Sequence, residues 1–356
     1  MDREQENRRK TNTLHVGSVK IGGDAPVVVQ SMTCTDTRDV AATIEQIRRL
    51  EAAGCEIVRV AVPDREAADC LRTIKQGISI PLIADIHFDH RLGIAAMENN
   101  ADGIRINPGN MKRSGLREII ACAVERGTAI RIGVNAGSLE KDLLEEHGGP
   151  TAEALVESAL RNVAFFEDHG CAALKLSLKS SDVPTMVAAY RAVSGRTSHP
   201  LHLGVTEAGN MLRSAVKSSV GLGILLHEGI GDTIRVSITG DPVSEVTVAY
   251  AILRALKLRL VGPDIISCPT CGRCEIDLPK LTEEVERRLA GMREHLTVAL
   301  MGCVVNGPGE AAEADVGIAG GRHMGLLFRK GRVVRKVREE EFVDALMEEI
   351  QSIIRE

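Results

Sequence analysis

No uninterrupted apolar run in this 356-residue chain reaches the length of a membrane span, and Met1 to Lys10 is almost entirely polar, with no apolar h-region. These absences argue against a membrane protein and a secreted one, and the expectation is a soluble, cytoplasmic protein. An excess of positive charge is also missing. With 44 Lys and Arg against 49 Asp and Glu, the formal net charge is −5, so nothing global attracts nucleic acid or an acidic membrane surface. Any cationic site has to be local. No Walker-type or complete dinucleotide glycine pattern occurs. The nine cysteines do not make an even set, which in a long chain without a secretory signal argues for a reducing compartment. Cys34, Cys55, Cys70, Cys122 and Cys171 are scattered. Most read as small buried apolar residues, and Cys34, in Thr33-Cys-Thr-Asp36, reads as a free thiol in a loop.

What is present is an ordinary globular composition, 44% hydrophobic and 26% charged, long enough for a full barrel plus a small domain. From about Val27 to Leu258, short β-rich runs alternate with amphipathic helical stretches in about eight units. Strands are expected to begin near Val27, Ile57, Pro81, Gly103, Ile130, Ala173, Leu201 and Thr233. Helical patterns lie between them, among them Val40–Ala53, Arg113–Arg126, Ala152–His169 and Pro242–Leu258, with Gly54, Gly127 and Gly170 as stops. The fold class is therefore α/β, a TIM-like (β/α)8 barrel. An open doubly wound sheet competes, and the similar length of eight successive units favours closure. At Val261-Gly262-Pro263 the rhythm breaks. Residues 1–260 are expected to form the barrel domain that binds substrate, and residues 261–356 a small α+β domain carrying a cysteine motif.

Barrel strands are buried on both faces, so a charge in mid-strand needs a reason. Arg59, Arg105, Arg131, Lys175 and Arg235 each lie between apolar residues, and Asn107, Ser177 and Ser237 follow two positions later on the same face. An internal salt-bridge ladder with Asp85 and Glu207 as acids would leave three of these five cations unmatched, a costly arrangement in a dry interior. A bound polyanion resolves it, and a diphosphate suits both the charge and the fork of arginine. Asp85, His87, Asn107, Asn135, Thr206 and Glu207 recur near strand C-termini, several just ahead of glycine loops, where barrel enzymes keep their chemistry.

The second domain opens on Cys268-Pro-Thr-Cys271-Gly-Arg-Cys274, and Cys303 follows in Met301-Gly-Cys-Val-Val-Asn306-Gly-Pro-Gly-Glu310. Thiolates at this spacing converge on one centre, as structural zinc with four cysteines or as an iron–sulfur cluster. The missing second C-x-x-C pair and a Gly/Pro-rich loop that also presents Asn306 and Glu310 favour the cluster. Cys274 remains a competitor for the fourth position.

Together these residues resemble the bacterial 4-hydroxy-3-methylbut-2-enyl diphosphate synthases (GcpE family) of the methylerythritol phosphate route to isoprenoids, in the short two-domain form. The likeness covers nearly the whole chain, through Ala84-Asp-Ile-His-Phe88, Ile104-Arg-Ile-Asn-Pro-Gly109, Ile130-Arg-Ile-Gly-Val-Asn135, Lys175-Leu-Ser-Leu-Lys179, Gly204-Val-Thr-Glu-Ala-Gly209, Ile234-Arg-Val-Ser237 and both cysteine segments. It implies a [4Fe–4S] enzyme that reductively opens 2-C-methyl-D-erythritol 2,4-cyclodiphosphate with loss of water. By the same resemblance Cys268, Cys271, Cys303 and Glu310 hold the cluster, Glu207 helps the hydroxyl leave, Asn306 contacts substrate, and the strand cations hold the diphosphate. Flavodoxin or ferredoxin supplies the electrons. The resemblance also implies a homodimer in which one subunit's cluster domain closes the other's barrel. Two other functions fit parts of the pattern, an iron-sensing cluster module and a phosphate-binding barrel synthase with structural zinc.

Overall fold

The computed structural model describes residues 8–303, 309 and 312–356. The chain divides into two compact units, one ending at Arg259 and one running from Leu260 to Glu356. In the first unit a short hairpin, β1 (Leu14–Val16) and β2 (Val19–Ile21), precedes eight strands: β3 (Val28–Met32), β4 (Ile57–Ala61), β5 (Leu82–Ile86), β6 (Gly103–Ile106), β7 (Ala129–Asn135), β8 (Leu174–Lys179), β9 (His202–Leu203) and β10 (Thr233–Ile234). These eight are parallel, in the order β8-β7-β6-β5-β4-β3-β10-β9. The sheet then closes on itself. Leu176 in β8 bridges Leu201, just ahead of β9, and its N–H donates to the Pro200 carbonyl at 2.9 Å. The barrel, rather than the open sheet, is thus the architecture, and each expected strand start lies within one residue of the observed one.

Helices return the chain between strands, and most start on a polar cap: Asp39, Asp64, Asp89, Thr151, Asp182 and Asn210 each accept a first-turn N–H. Gly127 ends the helix Arg113–Arg126 in the left-handed conformation at φ 66°, which a side chain would disfavour. The hairpin β1–β2 had no counterpart in the sequence reading. Its Leu14, Val16 and Ile21 pack on Val28, Ile57, Ile83 and Ala129 near the starts of barrel strands, and so plug the N-terminal end. The opposite, C-terminal end carries the polar residues.

The second unit is a sheet in the order β11 (Asp264–Ser267), β12 (Thr297–Met301), β13 (Val316–Gly321), β14 (Met324–Arg329), β15 (Arg332–Arg338). β11, β12 and β13 run parallel, and β14 and β15 pair antiparallel. Two helices, Leu278–Leu289 and Phe342–Arg355, lay Leu281, Val285, Leu289, Phe342, Leu346 and Ile350 on Val298, Leu300, Ile318 and Leu327. The α+β expectation holds. β11 is an addition to it, and it leads directly into Cys268.

Candidate active site

Strand register builds the site. Asp85 of β5 neighbours Arg105 of β6, Arg105 neighbours Arg131 of β7, and Arg131 neighbours Lys175 of β8, so four charged side chains form one rung across four strands. Two residues further along, Gly133 pairs with Ser177, and beyond them Asn135 pairs with Lys179. Period-two alternation keeps all of these on one face. A Cβ at Gly133 would come within 2.7 Å of Arg105 Nε and displace that guanidinium. Arg59, Arg105, Asn107, Arg131, Lys175 and Ser177 are all buried.

Among the described residues, Asp85 and Glu245 form ion pairs with these cations. Asp85 receives Arg105 Nη1 at 3.1 Å, lies 3.6 Å from Arg59 Nε, and is approached by His87 Nε2 at 3.5 Å. Arg59 also rests on the Met32 sulfur, 2.9 Å from Nη2. Arg235 is paired with Glu245, from the helix Val243–Ala255, at 2.9 Å. The ladder weighed from sequence used Glu207 as its second acid. In the structure that acid is Glu245, and Glu207 is exposed. The imbalance of charge nevertheless persists. All three guanidinium nitrogens of Arg131 and Nζ of Lys175 are buried without a hydrogen-bond partner among the described residues.

The protonation equilibria record the crowding. Burial, then repulsion from Arg131, pushes the Lys175 ammonium down to about 7. Burial and the neighbouring arginines drive Lys179 and His202 well below their ordinary values, and burial does the same to Arg131. Burial alone would raise the Asp85 carboxyl. Arg59, the His87 hydrogen bond, Arg105 and Arg131 outweigh it, holding Asp85 well below the usual carboxylate range. The rung thus holds an excess of buried positive charge.

The remaining expected residues sit around the strand ends. Asn107 follows β6, Asn135 ends β7, Thr206 and Glu207 follow β9, and Ser237 follows β10 with its carbonyl accepting from Ser214 Oγ at 2.7 Å. Glu207 has φ 52°, a strained left-handed backbone of the kind that clusters at functional sites. His87 is half-exposed at the end of β5. Asn306 and Glu310 lie outside the described residues. Two buried residues escaped the sequence reading. Lys179 sits four positions after Lys175, so alternation within β8 was the signal for it. Glu245 reaches the site from a helix, and no local pattern announces it.

In the second unit β11 and β12 run parallel with Ser267 beside Leu300, so Cys268 and Cys303 follow from the same edge of the sheet. The Gly302 N–H donates to Cys268 Sγ at 3.2 Å, a contact suited to a thiolate. Cys271 is exposed and Cys303 partly buried. The Cys274 N–H closes the turn on the Cys271 carbonyl at 2.9 Å. The Cys274 sulfur lies beside the same Gly302, whose added Cβ would come within 2.5 Å of it, but it already donates to the Ile276 carbonyl at 3.2 Å. None of the nine cysteines is in a disulfide. The donors described here are cysteine sulfurs set in turns, soft ligands that fit an iron–sulfur cluster or zinc better than a hard cation.

Comparison with known proteins gives the lineage. Residues 11–250 match the GcpE TIM-barrel domain and residues 264–352 the GcpE protein C-terminal domain. A relative from Geobacter sulfurreducens is 60% identical over 350 residues, covering 98% of this chain and 99% of its own length. Another, from Nitratidesulfovibrio vulgaris, is 56% identical over 349 residues, covering 98% and 90%. Both are named 4-hydroxy-3-methylbut-2-en-1-yl diphosphate synthase (flavodoxin). Among solved structures, type I 3-dehydroquinate dehydratase from Clostridium difficile aligns over 69% of this chain and 98% of its own, with TM-score 0.52 and 13% identity, a likeness of fold alone. With both domains matched in order and relatives above half identity along nearly its whole length, the chain belongs to the GcpE family.

Proposed function

We propose that the chain is the reductive synthase that opens 2-C-methyl-D-erythritol 2,4-cyclodiphosphate to (E)-4-hydroxy-3-methylbut-2-enyl diphosphate, taking up two electrons and two protons and releasing water. The observation that carries this reading is the buried, unpartnered Arg131 and Lys175 beside Arg105 and Arg59, a charge excess that a diphosphate neutralises. Arg131 presents its whole guanidinium to a phosphoryl group, while Asp85 holds Arg59 and Arg105 in place. Asn107, Asn135, Ser177, Thr206, Ser237 and His87 surround the organic part of the substrate. Glu207 delivers the proton to the hydroxyl oxygen that leaves as water.

Cys268, Cys271, Cys303 and Glu310 hold a [4Fe–4S] cluster, with Asn306 beside the substrate. When bound, the cluster supplies electrons and a Lewis-acidic iron for a substrate oxygen. Flavodoxin is the electron donor, as in the names of the relatives, and the enzyme works as a cytoplasmic homodimer. Among the described residues no helix is long and apolar enough to cross a membrane.

The test is anaerobic purification with iron quantification, then assay on the cyclic diphosphate with a chemical reductant. The expected protein is brown and oxygen-sensitive, with about four irons per chain. A colourless protein holding one zinc, with no turnover, sinks the proposal.

A further inference from the structure

Arg235 differs from the other cations because its fork is already occupied. Glu245 Oε1 accepts from Arg235 Nη2 at 2.9 Å and Oε2 from Nε at 3.2 Å. The same carboxylate receives Ser31 Oγ at 2.8 Å and the Ile238 N–H at 3.1 Å. Glu245 is 3% exposed, so it is a fixed buried acceptor with four donors from three segments: β3, the Arg235 strand end and the loop after it. Charge-assisted bonds in such a setting hold geometry strongly.

We infer that Glu245 is a positioning residue for the anion site: it locks Arg235 side-on, so that Arg235 offers only Nη1 and one remaining Nη2 hydrogen to the bound phosphoryl group. This rests on the diphosphate-site reading above. The carboxylate also neutralises one cation in the empty barrel, leaving Arg131 with its three free nitrogens as the fork-presenting arginine. Glu245 acts through Arg235 and does not touch the ligand. Shortening it by one methylene keeps the charge but cannot span Ser31, Ile238 and both Arg235 nitrogens at once.

The experiment is a double-mutant cycle on the full chain, with inorganic pyrophosphate as calorimetric probe and E245D, R235M and E245D/R235M as variants. For E245D the expected result is binding weakened about tenfold, the scale of one charge-assisted hydrogen bond. In the R235M background E245D adds no further loss. In the reconstituted enzyme E245D raises KM by a similar factor and leaves kcat within about twofold, a split that general destabilisation does not produce. Equal losses in both backgrounds, or unchanged binding in E245D, overturn the positioning role while leaving the anion site standing. If R235M binds pyrophosphate as the wild type does, Arg235 is no ligand, and both this inference and its part of the site reading fall. E245D retains the buried charge pair, so the cycle survives even if E245Q does not fold.

Discussion

Lys175 carries the clearest pH consequence of any residue here. Its ammonium is pushed down to about 7, and the unfolded chain titrates it near the ordinary value of 10.5. Between those limits the folded protein binds fewer protons than the unfolded one, so stability of the anion-free protein rises with pH across that window. Lys179 is lowered in the same direction by burial and by Arg59 and Arg131, and reinforces the slope. The variant K175M removes a charge that has no partner. Its Tm should exceed wild type by at least about 3 °C at pH 6.5 in anion-free buffer, with a smaller gain at pH 9. The same variant should lose most of the stabilisation that pyrophosphate gives the wild type. Thermal melts at the two pH values check both statements, and a larger gain at pH 9 than at pH 6.5 would contradict the sign.

The cysteine motif makes a second prediction at this scale. Cys274 completes the pattern in sequence, yet its sulfur is already engaged as a donor to the Ile276 carbonyl. C274A should retain nearly the full iron content, whereas C268A and C303A should lose most of it, measured by anaerobic iron assay. Loss of iron in C274A equal to that in C268A would make Cys274 the fourth ligand in place of Glu310.

Among elements, the barrel was legible through its repeated βα units, which placed even the two-residue strands β9 and β10. The rung from Asp85 to Lys175 comes from strands of four to seven residues, and its cations stood out as charges between apolar neighbours. The hairpin β1–β2 was not, because it precedes the first repeated βα unit and its role is tertiary. Glu245 stayed hidden for the same reason: its partner Arg235 is ten residues away across a loop, at a distance no helix or strand repeat predicts. The plug has a testable energetic weight. Val16 is 1% exposed among Val28, Ile57 and Ile83, so V16D buries a carboxylate without a partner. A loss of about 3 kcal/mol or more is expected in urea unfolding. A change under about 0.5 kcal/mol would mean that the hairpin does not seal the barrel end.

At the scale of the whole molecule, charge is unevenly distributed around the barrel. The helix Met211–His227 turns Leu212, Val216, Val220 and Ile224 outward at four-residue spacing, 74%, 56%, 50% and 37% exposed. On its neighbours Val183–Ser194 and Val243–Ala255, the exposed positions include Pro184, Ala188 and Ala192, and Thr247, Ala251 and Ala255. Arg191, Arg213 and His227 rim this face. An apolar patch with a polar rim marks an interface, and the apolar centre of this one carries no charge that would keep a second copy of the same face away. A helix of this length spans about 25 Å, and three such faces cover roughly 600 Å², approaching the ~800 Å² per partner of a stable complex. The pairing ridge lies on the i, i+4 row, and two copies interdigitating these ridges about a two-fold axis would cross at about −50°. The variant V216E/V220E places like charges across that axis at positions already exposed in the monomer. It should therefore keep its Tm within a few degrees while light scattering reports a monomer at micromolar concentration, where the homodimer proposed above is the expected state of the wild type. A variant that remains dimeric would remove this face as the interface, and the homodimer would then need another surface.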